Sequence, residues 1–160
     1  MDIEAELLAL AKLAVAMLLC GALGWERESL GKAAGLRTHI LVGVGSALIV
    51  LLAEFLVEHF DSAGEQMQFD PIRSLEAVAA AVSFLGAGTI IFAQGMERVR
   101  GLTTAASLWT TAAVGMAVAL DLYVLAVGAT LLLLLVMRVL LKVEVPIDKV
   151  TRDEPRWPFA

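Results

Sequence analysis

LLALAKLAVAMLLCGALGW, residues 7–25, carries a single charged side chain, Lys12. A helix of that length rises about 28 Å, close to the ~30 Å hydrocarbon core of a bilayer. Lipid offers no hydrogen bonds to an exposed backbone, and nothing in the stretch alternates like a barrel strand, so it reads as a transmembrane helix. Four further apolar runs follow, giving Leu7–Trp25, Thr38–Val57, Leu75–Ala93, Leu102–Leu120 and Leu122–Leu141. The expected fold is all-α, a polytopic transmembrane bundle of about five spans.

Composition agrees with that reading. The chain of 160 residues is 59% hydrophobic and 18% charged, with a mean hydropathy of +0.83. A soluble domain has about 45–50% apolar and about 25% charged residues. The acidic start, MDIEAELL, lacks the basic character of a targeting peptide, so the first run is expected to be retained as a span. Residues 1–145 form one expected membrane domain and residues 146–160, rich in Pro and mixed charge, a short cytoplasmic tail. The lone Cys20 lies in the first span and excludes an intrachain disulfide. A net charge of -5 argues against a nucleic-acid partner.

Orientation follows from the basic residues. Arg27, Lys32, Arg37, Arg98, Arg100, Arg138, Lys142, Lys149, Arg152 and Arg156 fall on one side, Arg73 alone on the other, and Lys12 within the first span. The N-terminus is therefore expected outside and the C-terminus in the cytoplasm. Acidic residues concentrate toward the outer side, among them Glu54, Glu58, Glu76 and Asp121. They read as a solvated outer surface or as a vestibule that concentrates cations. Glu54 and Glu58 share a helix face, and with Glu76 they are the weak candidates for contact with a metal ion.

Polar and small residues mark the third and fourth spans. Gly86 and Gly88 predict close helix packing, with a broken helix lining a cavity as the alternative. Thr103, Ser107 and Thr110 are spaced i, i+4, i+7, and Thr104 and Thr111 form a parallel row. These hydroxyls serve either helix adhesion or a polar route between spans three and four. Trp109, mid-span, is expected to pack against the small residues of span three.

The hairpin between the first two spans reads GWERESLGKAAGLRTHILVGVGSA, residues 24–47. Gly35 is expected to permit a turn, Arg37 to reach carbonyls or headgroups, and Thr38 to cap the second helix. Together with GMERVRG, residues 95–101, it reads as a structured inner-face cap over the entrance to the fourth span. No HExxH, CxxC, GxSxG or phosphate-loop pattern occurs, so no enzyme is expected. Carboxylates are the only plausible metal contacts, which suits a hard cation such as Mg²⁺. No cofactor is expected, with Mg²⁺ entering only as ligand or substrate.

GWERESLGKAAGLRTHILVGVGSAL, DPIR…FLGAG and VRGLTTAASLWTTAAVG, in this order and spacing, resemble the MgtC/SapB family of bacterial inner-membrane proteins. The resemblance covers about Leu7 to Leu141. It implies a small multi-pass domain in the bacterial inner membrane, linked to growth in low magnesium and to acid or intracellular stress. It also implies either cation transport or, in some members, regulation of a partner membrane complex such as ATP synthase. The matching positions are Gly24, Glu26, Arg27, Lys32, Gly35, Leu36, Arg37, Thr38 and His39, then Asp70, Arg73, Gly86, Gly88, Gly101, Leu102, Thr103, Thr104 and Trp109. The family's Gln in span three is replaced by Ala77, and two of its glycines by Ala81 and Ser83. Five spans are few for a transporter, so a homodimer or larger oligomer is expected. The alternative is a non-transporting regulator that binds another membrane complex through its small-residue helix faces.

Overall fold

The computed structural model describes residues 3–62, 71–91 and 101–150, with side chains at 3–59, 72–90 and 101–139. Five helices make up the described residues: α1 (Ile3–Ser29), α2 (Leu36–Ser62), α3 (Pro71–Ile91), α4 (Leu102–Ala119) and α5 (Tyr123–Val150). Each coincides with one of the five apolar runs. Three of them, Ile3–Ser29, Leu36–His59 and Leu102–Ala119, are long and apolar enough to cross a membrane, and Tyr123–Val139 is a shorter apolar helix. The protein is a helical membrane bundle.

Two helix stops shape the bundle, and both satisfy the last carbonyls in the same way. At the end of α1 the N–H of Lys32 bonds the carbonyl of Arg27 at 3.1 Å and that of Gly31 bonds Glu28 at 3.0 Å. This is a Schellman motif, whose C′ residue must be left-handed. Gly31 fills that position with φ 62°, so the turn glycine is Gly31 and not Gly35. At the end of α4, Leu122 bonds Ala117 at 2.9 Å and Asp121 bonds Val118 at 3.1 Å. Here Asp121 holds the left-handed position with φ 61°. That conformation costs a non-glycine residue on the order of 1 kcal/mol, and Asp is among the residues that tolerate it.

Lys12 secures this second stop. Its Nζ donates to Asp121 Oδ2 at 2.7 Å and to the Ala119 carbonyl at 3.1 Å, although Lys12 lies inside a span and is only 6% exposed. The ammonium meets a carboxylate and the negative end of α4 together, which offsets its removal from water. Tyr123 Oη donates to Asp121 Oδ1 at 2.9 Å. These bonds hold the Asp121 carboxyl below the usual carboxylate range, with the Lys12 bond the largest cause.

α4 is the central helix and touches all four others, whereas among the described residues α5 touches only α1 and α4. The main core joins Ala16, Cys20 and Leu23 of α1 to Ala47, Val50 and Leu51 of α2, Val114 and Val118 of α4 and Ala126 of α5. A smaller core joins Val78 and Val82 of α3 to Leu108 and Ala112 of α4, with Ala34. The closest approach is where α1, α2 and α4 cross. A side chain added at Gly115 would overlap the Gly43 carbonyl oxygen, and one added at Gly43 would overlap Cys20 Sγ.

α3 runs unbroken through Gly86 and Gly88. A Cβ on Gly86 would stand 3.2 Å from that of Ala105, so this glycine sets the α3–α4 spacing, while Gly88 faces open space. Trp109 is 51% exposed and points away from the bundle instead of packing on α3. α5 continues through Pro146 to Val150, past the expected start of the tail. Proline's φ fits a helix, and close to the helix end it forfeits one ladder bond.

Gly115→Ala is expected to lower stability by about 1–3 kcal/mol, because the methyl must displace the backbone of α2. Gly128→Ala, with nothing within 4 Å, is expected to be neutral. Unfolding in detergent, followed by reaction of the buried Cys20 thiol with a fluorogenic maleimide, measures both. The depressed Asp121 value stabilises the fold above the ordinary carboxylate range, and that contribution disappears as pH falls through the lowered value. Asp121→Asn is expected to flatten the unfolding temperature below about pH 4 relative to the parent.

Candidate functional site

The last turn of α1, the first turns of α2 and the first half of α4 enclose a polar cluster. α1 presents Leu23, Gly24, Glu26 and Arg27 to the interior, while Trp25 and Glu28 are exposed. Gly24 makes this possible. A Cβ there would lie 2.8 Å from both the Leu36 Cα and the His39 Cβ, so only glycine lets α2 come near enough to carry His39 inside. The start of α2 is fixed by Glu28, whose Oε2 accepts the Leu36 N–H at 2.7 Å. Thr38 is already within the helix and exposed, so Glu28 takes the capping role expected of Thr38.

His39 is 0% exposed. Its Nδ1 lies 2.9 Å from the Gly35 carbonyl and its Nε2 lies 3.2 Å from Ser107 Oγ. A carbonyl only accepts, so Nδ1 is assigned the proton and Nε2 is free to accept in the neutral ring. Ser107 Oγ also stands 2.8 Å from the Thr104 carbonyl, a bond it donates. Thr111 Oγ1 donates to the Ser107 carbonyl at 2.7 Å, and Cys20 Sγ meets the Thr111 carbonyl at 3.6 Å.

Glu26 and Arg27 complete the cluster. Both are 2% exposed, and Arg27 Nη1 stands 3.7 Å from Glu26 Oε2. Both oxygens of Glu26 and the Nε and Nη2 of Arg27 have no hydrogen-bond partner. Buried polar groups are almost always bonded, and an unsatisfied buried charge costs more than an unsatisfied amide. The pair therefore marks a place where the bundle accepts an energetic cost. Unpaired buried acceptors and donors are groups that a water chain or a passing ion could use.

The remaining expected residues lie apart from this cluster. Lys32, Arg37 and Thr38 are exposed on the hairpin and the first turn of α2, and Gly35 is half-buried. At Gly35 a Cβ would approach Glu28 Oε2 to 2.8 Å, so its smallness serves the Glu28 cap. Arg98 and Arg100 lie outside the described residues. Glu54, Glu58 and Glu76 are exposed on α2 and α3, and among the described residues no group of three His, Cys, Asp or Glu could hold a metal ion. Thr103 is exposed, and Thr110 is half-buried and bonds back to the Ala106 and Ser107 carbonyls at 3.1 and 3.0 Å. The buried hydroxyl row of α4 is thus Thr104, Ser107 and Thr111, spaced i, i+3, i+7. It faces α1 and α2, because Ser107 touches His39 and Thr111 touches Cys20 and Gly43. Neither the Gly43–Gly115 crossing nor the Lys12–Asp121 bond was singled out from sequence. Mid-span glycines and an intramembrane lysine were the signals available for them.

Arg27→Met is expected to destabilise the fold by about 3–5 kcal/mol, since it strands Glu26 as an uncompensated buried charge. The double variant Glu26→Met, Arg27→Met is expected to recover most of that loss. Unfolding temperatures of the three proteins in one detergent decide the matter.

Comparison with known proteins places the chain in a family. The sequence profile described as "MgtC family" matches residues 13–145. "Putative magnesium transporter YhiD" of Escherichia coli (strain K12) is 40% identical over 128 residues, which is 80% of this chain and 58% of that protein. "Protein MgtC" of Brucella abortus (strain 2308) is 44% identical over 105 residues, 66% of this chain and 40% of that protein. "Protein SrpB" of Synechococcus elongatus is 38% identical over 130 residues, covering 78% and 70% of the two chains. The chain spans less than two thirds of the length of the first of these relatives. No solved structure matches.

Proposed function

The chain belongs to the MgtC family, and on that premise we propose that it is a bacterial inner-membrane protein of magnesium or cation homeostasis whose Glu26–Arg27–His39 cluster handles a cation in transit. The supporting observation is Glu26, a carboxylate 2% exposed with neither oxygen hydrogen-bonded. An ionisable group in that position within a membrane bundle is a functional group by default. Arg27 balances its charge at 3.7 Å without bonding it closely. A mobile cation can therefore replace the guanidinium as counter-charge without first breaking a tight salt bridge. Mg²⁺ is the substrate proposed, by analogy with the relative named as a magnesium transporter. No cofactor and no chemical reaction enter this reading.

With the orientation expected from the distribution of Lys and Arg, the hairpin end of the bundle, and with it the cluster, faces the cytoplasm. The polar route expected between the third and fourth spans is better placed among α1, α2 and α4. The α3–α4 seam is filled by Val78, Val82, Leu108 and Ala112, whereas the buried hydroxyls face α1 and α2. The Gly43–Gly115 crossing closes that route toward the opposite side, so transit requires the crossing to part. A homodimer supplies the extra surface that five helices need to enclose a path.

A second reading, a regulator that binds a transmembrane helix of another complex, is favoured by a groove of about 380 Å³ between α2 and α3. Its lining includes the small residues Gly45, Ser46 and Ala81, together with Leu41, Ile49 and Leu85. Small residues let a helix backbone approach closely. Photocrosslinking from position 81 is expected to capture such a partner, and self-crosslinks alone count against it.

For the transport reading, purified protein in liposomes enclosing a fluorescent indicator is expected to admit Mg²⁺ above the empty-liposome rate. Glu26→Gln is expected to bring uptake down to that background. Absence of uptake for Mg²⁺ and the other common cations overturns the transport reading.

A further inference from the structure

We propose that Asp121 and the Ala119 carbonyl form a site where a hard cation meets the bundle, and that Lys12 is a latch which this cation displaces. Displacement opens the seam between α1 and α4 at the end opposite the hairpin. This deepens the transport reading and rests on it for the identity of the cation.

The seam is built from two matching rows. Lys12, Ala16 and Cys20 are spaced i, i+4, i+8 on one face of α1, and all three are buried. Thr111, Gly115 and Ala119 have the same spacing on α4 and are buried as well. The rows meet at both ends. Lys12 Nζ lies 3.1 Å from the Ala119 carbonyl, and Cys20 Sγ lies 3.6 Å from the Thr111 carbonyl. The two helices are therefore antiparallel along a seam of about 12 Å. Between those contacts the rows hold Ala16 and Gly115, with the Gly43 carbonyl of α2 against the glycine. Such small groups pack closely while the backbones touch, and they offer no bulk to plug the seam once the backbones part. Among the described residues, the bonds of Lys12 are the only ones that an α1 side chain makes to the end of α4 or the turn after it.

This clasp has the form of a cation site whose cation is tethered to the chain. A carboxylate oxygen at 2.7 Å and a helix-terminal carbonyl at 3.1 Å hold the ammonium. Both are hard oxygens, and the end of α4 adds the negative pole of its dipole. The two members differ in reach. The Asp121 side chain is 59% exposed and that of Lys12 7%, so an ion arriving from water meets the carboxylate first. Mg²⁺ keeps most of its hydration shell and needs only one or two carboxylates. With two charges against one, it competes with the ammonium for Asp121. An ammonium deprived of its carboxylate is an uncompensated buried charge. The Lys12 side chain tilts toward the N-terminus of α1, and its four-carbon stem lets the charge follow to water at that end. α1 and α4 then lose their tie at Ala119, and the seam opens past Ala16 toward Cys20.

The test reads Cys20, the single cysteine of the chain. A membrane-impermeant methanethiosulfonate is applied to the full chain in vesicles that expose the N-terminal end of α1. Mg²⁺ at about 10 mM, above the millimolar range of weak carboxylate sites, is compared with sodium chloride of equal ionic strength. It is expected to speed modification of the parent by about tenfold, because a buried thiol reacts in proportion to the opening of the seam. Asp121→Asn keeps a residue that tolerates the left-handed turn, and it is expected to react at the fast rate with or without Mg²⁺. Lys12→Met, with no ammonium to displace, is expected to show no Mg²⁺ response. The parent's response needs no substitution and decides the proposal even where a variant fails to fold. A parent that ignores Mg²⁺, a folded Asp121→Asn protein as slow as the parent, or a Lys12→Met protein that still responds overturns the latch. An equal acceleration from the hairpin face means general loosening and overturns it too. Uptake into liposomes decides transport separately. A responsive Cys20 without uptake leaves the latch standing and ends the transport reading, and uptake with an unresponsive Cys20 does the reverse.

Discussion

The contact between Gly43 and Gly115 is the constraint on which the rest of the bundle depends. Where these glycines meet, the α4 backbone lies against a carbonyl of α2, and the Cys20 thiol of α1 fills the remaining side. Lipid tails are as apolar as leucine, so helices in a bilayer gain little from burying oily side chains against one another. Close backbone contact supplies van der Waals attraction instead. With α1, α2 and α4 locked here, α3 and α5 pack around the central helix. The hairpin end of the same three helices then has a fixed geometry in which Gly24 brings His39 inward.

The bundle handles polarity differently at its two ends. Around Asp121 it is satisfied: Lys12 reaches a carboxylate and a helix-terminal carbonyl, and the left-handed Asp121 is bonded from two sides. Within α4, Ser107, Thr110 and Thr111 return their protons to the carbonyls of their own helix, which is the least costly use of a hydroxyl in lipid. Around Glu26 and Arg27 it is not satisfied, since four buried polar atoms lack partners. Desolvation of an ionised group is far costlier than a hydroxyl's loss of water, so an unbonded carboxylate there is a feature without a packing rationale. The buried His39, which touches Ser107 of α4, belongs to the same end of the bundle. That contrast sets this cluster apart from the exposed acids of α2 and α3 and is the ground for the proposed function.

Much of the site was legible as residue type and little of it as geometry. Glu26, Arg27 and His39 stood out because a run of lipid-like sequence does not otherwise tolerate them. Their burial did not stand out, because a basic hairpin between two spans is accounted for by topology alone. Both hydroxyl rows of α4, Thr103, Ser107 and Thr110 with Thr104 and Thr111, were legible, but not which hydroxyls turn inward, since the rows are equally polar and apolar residues surround them. In a soluble helix the wet face fixes that phase. In lipid both faces are oily, and only the neighbours decide which hydroxyls turn inward. Trp109 was misplaced for the same reason.

The sequence by itself determined that this chain is a bundle of membrane helices, where each one runs, and which end gathers the basic residues. Length and hydropathy control those properties, and they are local. Tertiary structure decided which glycines touch, that Glu28 and not Thr38 caps α2, and that Lys12 clasps Asp121 across 109 positions of chain. It also decided that His39 meets Ser107 and that Glu26 and Arg27 are sealed from water. Each of these depends on the rotation of one helix about its axis relative to another. Steric fit sets that rotation where backbones nearly touch, and a hydrophobic pattern that is oily on every side does not encode it.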